Sequence, residues 1–187
     1  ELSSKIIKEQ IKAVCEDIMP NSIKIGMVSS PEIILDIAES LKKYPCKYIV
    51  VDPVMISKSG YSLLRPEAKE NLIKYLIPMA YIVTPNIPEA EEISNMKIET
   101  VEDMKKAGKE ILKLGPKYVL MKGGHLEGDA VDILIGEDTF EIYKSERIDR
   151  KNTHGTGCTL SSAITSHLAL GYDIKEAVKL SKEYITE

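Results

Sequence analysis

The stretch Ala80-Tyr81-Ile82-Val83-Thr84-Pro85-Asn86-Ile87-Pro88-Glu89 changes character twice within a few residues. Residues 80–83 read as a buried strand, since the apolar run is too short for a helix and is bounded by turn signals. Thr84-Pro85-Asn86 punctuates it. A helix over 88–94 follows, with Pro88 at its start and Glu89 in the first turn, where an acid complements the helix dipole. Strand, polar turn, helix is the repeating unit of an α/β chain.

The same unit recurs on both sides. Upstream, Ile23-Lys24-Ile25-Gly26-Met27 reads as a strand, and Ser30-Pro31 caps and starts a helix over 31–43. Tyr48-Ile49-Val50-Val51 is a strand that ends in Asp52-Pro53, with a helix over 66–76 behind it. Ile6, Ile7, Ile11, Val14 and Ile18 lie at helical spacing over 3–18, and Pro20-Asn21 stops that helix. Downstream, a helix over 101–114 leads into the strand Tyr118-Val119-Leu120-Met121, which ends in Lys122-Gly123-Gly124. Residues 131–135 and 139–143 form a hairpin turning at Gly136-Glu137-Asp138. Helices over 156–170 and 174–186, split by Gly171-Tyr172, close the chain. The expected fold is α/β: a mostly parallel central sheet with helices on both faces, in three αβα layers.

A length of 187 residues with 43% hydrophobic content suits one compact domain with a real core. Net charge is −4, acids and bases are interspersed, and aromatics are 5%, so no basic stripe points to nucleic acid or an anionic membrane. No apolar run approaches the roughly 18–20 residues that span a bilayer, and no signal-peptide pattern is present. The cysteines, Cys15, Cys46 and Cys158, are far apart without a CxxC pair. That argues against a disulfide framework or a zinc site and suits a reducing cytoplasm, with Cys15 and Cys46 structural. The chain starts at Glu1, without Met, as a fragment would.

Ligands of parallel sheets bind outside the carboxyl ends of the strands. The polar punctuation lies there, after each of four strands: Gly26-Met27, Asp52-Pro53-Val54, Thr84-Pro85-Asn86 and Lys122-Gly123-Gly124. A further candidate is Asn152-Thr153-His154-Gly155-Thr156-Gly157-Cys158-Thr159, a tight loop opening into a helix. It is neither GxxxxGK[ST] nor GxGxxG, because Leu160 stands where the last glycine would be. Amides of Gly155, Thr156, Gly157 and Cys158 at the positive end of a helix dipole make an anion site, and the same field favours a thiolate at Cys158. An anion cradle with an activatable side chain inside it suggests phosphoryl transfer.

Each remaining candidate has two readings. Asn86 and Glu89 organise magnesium near transferring phosphates, as a hard cation prefers oxygen ligands, or simply cap a helix. Asp52 is a second carboxylate at that site or forms a turn with Pro53. Lys122 neutralises a nucleotide phosphate as a mobile point charge or is a solvated strand end. His125, His154 and His167 have no metal-ligand spacing; His154 orients the loop and His167 lies on a helix surface.

Taken together, these strings resemble the ribokinase-like superfamily and, within it, the hydroxymethylpyrimidine (phosphate) kinases of thiamine biosynthesis. The resemblance rests on Lys24-Ile25-Gly26-Met27, Val51-Asp52-Pro53-Val54-Met55 with Lys58-Ser59-Gly60, Thr84-Pro85-Asn86-Ile87-Pro88-Glu89-Ala90, Lys122-Gly123-Gly124-His125 and the loop 152–159. It implies ATP and Mg²⁺ as cofactors. It implies Cys158 as the base, where most superfamily relatives carry Asp, and the amides of Gly155, Thr156, Gly157 and Cys158 as the anion hole. Glu89 and Asp52 organise the metal; Lys122, Asn86, Thr153, Gly155 and Gly157 bind ATP; Met27 and Val54, with Cys158, face the pyrimidine. The alternatives are a pyridoxal or pyridoxine kinase and a non-catalytic nucleotide-binding fragment. Superfamily relatives are often homodimers. Family members begin with a further segment, a first strand with a Gly-rich turn and strands that cover the pyrimidine. A kinase domain over 1–187 is therefore expected to be incomplete at the N-terminus and slightly so at the C-terminus.

Overall fold

Among the described residues, six strands lie in one sheet in the order in which the chain makes them. They are β1 (Ser22–Ile25), β2 (Tyr48–Val51), β3 (Ile82–Val83), β4 (Tyr118–Lys122), β5 (Ala130–Gly136) and β6 (Phe140–Ser145). The first four pair in parallel, and β4–β5 and β5–β6 pair antiparallel. The computed structural model describes residues 2–55, 63–123, 130–145 and 155–186.

That order decides where the helices go. Right-handed crossovers that always step in the same direction place every connecting helix on one face of the sheet. The helices α2 (Pro31–Lys43), α3 (Pro66–Asn71), α4 (Ile87–Ser94) and α5 (Val101–Leu112) cover that face. Their apolar sides pack with Val51, Val83, Val119, Met121 and Ile133 in one buried cluster. The opposite face is covered by α6 (Thr156–Ala169) and α7 (Ile174–Thr186), which bury Val50, Ile82, Leu120 and Leu134. Both sides of β2, β3 and most of β4 are therefore dry, which is why those strands read as unbroken apolar runs, whereas β1, at the edge, is half-buried and carries Ser22 and Lys24. The first helix, α1 (Ser4–Asp17), buries no residue and lies outside α2, where Lys8 pairs with Asp36 at 2.7 Å.

Most expected elements occur within a residue or two. The strand expected over 23–27 ends at Ile25, so Gly26 and Met27 belong to the loop beyond it. The expected helix over 66–76 is wound differently: α3 stops at Asn71, residues Leu72–Leu76 form a π turn, and Ile77–Met79 a 3₁₀ turn. Pro78 explains this, since its ring would clash with the carbonyl four residues back in a regular helix. His167, expected on a helix surface, is half-buried between α6 and α7, with Nδ1 2.9 Å from Ser181 Oγ.

Candidate active site

Parallel strands bring their carboxyl ends to one lip of the sheet. Asp52 leaves β2 there, Thr84 leaves β3, and Lys122 ends β4. Asp52 is 1% exposed, yet its carboxylate is fully engaged. Oδ1 accepts from the Thr84 hydroxyl at 3.1 Å and from Lys122 Nζ at 3.2 Å. Oδ2 accepts from the Ser161 hydroxyl at 3.1 Å. Ser161 is fully buried on α6, so Asp52 ties three strand ends to the helix that follows the glycine loop. Burying a carboxylate is costly unless donors surround it, and here they do. The Lys122 amide donates to Pro85 O at 2.9 Å, which stitches the end of β4 to the turn after β3.

Glu89 has a double setting. It closes a capping box at the start of α4: the Glu89 amide donates to Asn86 Oδ1 at 2.9 Å and the Asn86 amide donates to Glu89 Oε2 at 3.0 Å. Its carboxyl is also only 2% exposed. Burial raises its pKa; the Lys122 charge and the amides of Asn86 and Met55 pull the other way, and the Asp52 charge adds to the rise.

The helix α6 opens at Gly155, whose φ of 82° and ψ of −8° lie in the left-handed region that favours glycine. The first turn carries Gly157 and Cys158. A Cβ on Gly157 would stand 3.3 Å from Lys122 Nζ, so the ammonium lies against that turn. Cys158 is exposed. A helix N-terminus and a lysine side by side form a strongly anion-attracting corner, and a buried carboxylate holds the lysine in place.

The sequence profile of the phosphomethylpyrimidine kinase family matches residues 1–187. The chain belongs to this family. A crystal structure of phosphomethylpyrimidine kinase from Clostridium difficile is 71% identical, with a TM-score of 0.91 over 100% of this chain and 76% of that one. A hydroxymethylpyrimidine/phosphomethylpyrimidine kinase of Bacillus subtilis is 38% identical over 100% of this chain and 69% of its own length. The bifunctional thiamine biosynthesis protein ThiED of Geobacter sulfurreducens is 46% identical over 96% of this chain, which spans 37% of that protein. The structure of Staphylococcus aureus pyridoxal kinase with AMP-PCP is 36% identical, with a TM-score of 0.91 over 99% of this chain and 68% of that one. The fold is ribokinase-like, and the family is one of phosphotransferases acting on a nucleotide and a small molecule.

For a phosphomethylpyrimidine kinase the donor set fits magnesium. Two nearly inaccessible carboxylates, Asp52 and Glu89, share the charge of Lys122. Their oxygens are the kind of donor a hard cation prefers, and such a cation would favour the ionised form of Glu89. Among the described residues no three His, Cys, Asp or Glu side chains converge into an all-protein cage.

Of the residues expected at the site, Asp52, Asn86, Glu89, Lys122, Gly155, Thr156, Gly157 and Cys158 all lie at this lip of the sheet. Met27 and Val54 follow the carboxyl ends of β1 and β2 on the same side; Met27 is 54% exposed and Val54 half-buried. Thr153, His154, Gly124, His125 and Lys58-Ser59-Gly60 lie outside the described residues. Sequence reasoning assigned no role to Thr84 or Ser161, the hydroxyls that hold Asp52. A serine at helical spacing with Ile164 and Leu168, on a largely apolar face, was the available signal.

Gly123 fixes how closely β5 approaches the site. A Cβ there would come 2.0 Å from the Val131 carbonyl oxygen and 2.9 Å from Met104 Cε. Backbone cannot yield as a side chain can. Gly123→Ala is expected to cost on the order of 1–3 kcal/mol, read as a fall in Tm of roughly 2–12 °C. An unchanged Tm would mean that the ladder tolerates separation at this point.

Proposed function

We propose that this chain transfers the γ-phosphoryl group of ATP to the hydroxymethyl group of 4-amino-5-hydroxymethyl-2-methylpyrimidine, and then phosphorylates the monophosphate to the diphosphate for thiamine biosynthesis. The observation that carries it is the Asp52–Lys122 pair set against the first turn of α6, in a chain 71% identical to a phosphomethylpyrimidine kinase. Phosphoryl transfer passes through a loose transition state, so positioning and charge neutralisation carry most of the catalysis. Lys122 contacts the nucleotide phosphates, and Asn86 and Thr153 complete that side. The amides of Gly155, Thr156, Gly157 and Cys158 receive the moving group. Cys158, open to an approaching acceptor, takes the hydroxyl proton late, when a weak base suffices. Met27 and Val54 line the ring. Glu89 and Asp52 would hold magnesium, which would supply charge neutralisation to the phosphates.

The similarity to pyridoxal kinases favours one second reading, phosphorylation of vitamin B6 forms, since both acceptors are small aromatic rings bearing a hydroxymethyl group. The 36% identity there, against 71% to the pyrimidine kinase, ranks it second. Values of kcat/KM measured side by side should favour the pyrimidine by tenfold or more, roughly the discrimination of one or two good pocket contacts. A preference for pyridoxal would overturn the substrate assignment, and nucleotide binding without transfer to either acceptor would support a nucleotide-binding piece. Superfamily resemblance also supports a cytoplasmic homodimer, read from mass in solution. No described helix is long and apolar enough to cross a membrane.

A further inference from the structure

Lys122 stands between two carboxylates, not one. Its partner across the β4–β5 ladder is Asp132. Residues directly opposite in an antiparallel pair project from the same face, with Cβ atoms about 4.5–5.5 Å apart. A lysine spans that gap easily. Asp132 is 7% exposed, a place where a carboxylate must find donors. Yet Lys122 pairs with Asp52 at 3.2 Å.

Asp132 is already satisfied. Oδ1 accepts from the Gly123 amide at 3.0 Å. Oδ2 accepts from Lys182 Nζ on α7, a lysine itself only 9% exposed. Two lysines are thus divided between two carboxylates on the face covered by α6 and α7.

We infer that Lys182 is a positioning residue for the phosphate lysine: by neutralising Asp132 it leaves Lys122 to Asp52 and to the anion at the start of α6. Without Lys182 the Asp132 carboxylate would be buried with one neutral donor, and Lys122, directly across the ladder, would turn to it. The ammonium would then leave the first turn of α6, and nucleotide affinity would fall although no nucleotide ligand had been changed. The inference rests on the reading of Lys122 as a phosphate ligand.

The experiment is a cycle of Lys182→Met, Asp132→Asn and the double variant, in the full-length protein. Affinity for AMP-PCP with magnesium, Tm and a crystal structure are read for each. Lys182→Met should weaken AMP-PCP binding by about tenfold, the scale of one supporting contact. Its structure should show Lys122 Nζ on Asp132. Asp132→Asn/Lys182→Met should bind within roughly twofold of wild type, because nothing remains to draw Lys122 away. A lysine that merely supported the fold would give affinities that follow Tm, with no recovery in the double variant. Lack of recovery, or an unmoved Lys122 in Lys182→Met, overturns the inference. If Lys182→Met does not fold, Lys182→Gln carries the same test, since it keeps a donor for Asp132 without the charge. Lys122→Ala separates the two levels of the argument. Unchanged AMP-PCP affinity there would sink the phosphate-ligand reading, while the position of Lys122 in the Lys182 variants would still decide the division of charges.

Discussion

Cys158→Ala is expected to lower kcat by about 10²–10⁴-fold, the usual contribution of a positioned general base, and to leave ATP affinity within roughly threefold of wild type. The two effects separate because of where the side chain stands. Cys158 sits on the exposed side of the first turn of α6. The bonds that hold the nucleotide end of the site do not pass through its thiol. Asp52 is held by Thr84, Lys122 and Ser161, and the bond between Cys158 and Ser161 runs through the Cys158 backbone carbonyl, not its thiol. Alanine keeps that carbonyl, the amide and the helix. Steady-state kinetics with the pyrimidine acceptor, beside calorimetric titration with AMP-PCP, reads both quantities. Wild-type turnover in the variant would remove Cys158 from the role of base, and a parallel loss of nucleotide affinity would show that the loop itself had moved.

Glu89→Gln should all but abolish magnesium-dependent transfer, by roughly 10³-fold, while leaving the protein as stable as wild type or more so. Glutamine preserves the capping box, because its side-chain oxygen still accepts from the Asn86 amide. What it removes is the charge. Burial holds the Glu89 carboxyl above the ordinary carboxylate range. The native state therefore keeps a proton that the unfolded chain has released, and stability falls as pH rises through that window. Glutamine is indifferent to pH. The Tm advantage of Glu89→Gln, measured without magnesium, should be absent below about pH 4 and grow as pH rises above that value. An advantage that shrank with rising pH would contradict the burial argument. Retained turnover with magnesium would confine Glu89 to its capping role.

The fold was legible because its strands are buried on both faces: runs such as Tyr48-Ile49-Val50-Val51 and Tyr118-Val119-Leu120-Met121 leave little choice of structure. The winding of 72–79 was not, since the π turn is a local accommodation to Pro78 that no periodicity announces. At the site, the parallel-sheet rule placed Asp52, Asn86 and Lys122 at one edge of the sheet, and Glu89 followed from its place one helical turn after Asn86. The rule could not pair them. The Asp52–Lys122 and Asp52–Ser161 bonds join residues 70 and 109 positions apart, and such pairings depend on register and helix rotation. Likewise, the polarity of Asp132 and Lys182 was visible in the sequence, but not that they would meet.

The sequential order of the strands also shapes how the protein is made. As the chain emerges from the ribosome, β1 to β4 and their crossover helices can assemble one after another, and one face of the sheet is covered as it forms. Among the described residues, the other face, with Val50, Ile82, Leu120 and Leu134, is covered by α6 and α7, which are synthesised after all six strands. Before those helices dock, these apolar side chains lack their native cover and are the kind of surface through which larger chains aggregate or engage chaperones. The bond from Ser161 to Asp52 closes in the same docking event, so the step that hides this surface also completes the catalytic lip, and a chain stalled before it would be both inactive and adhesive.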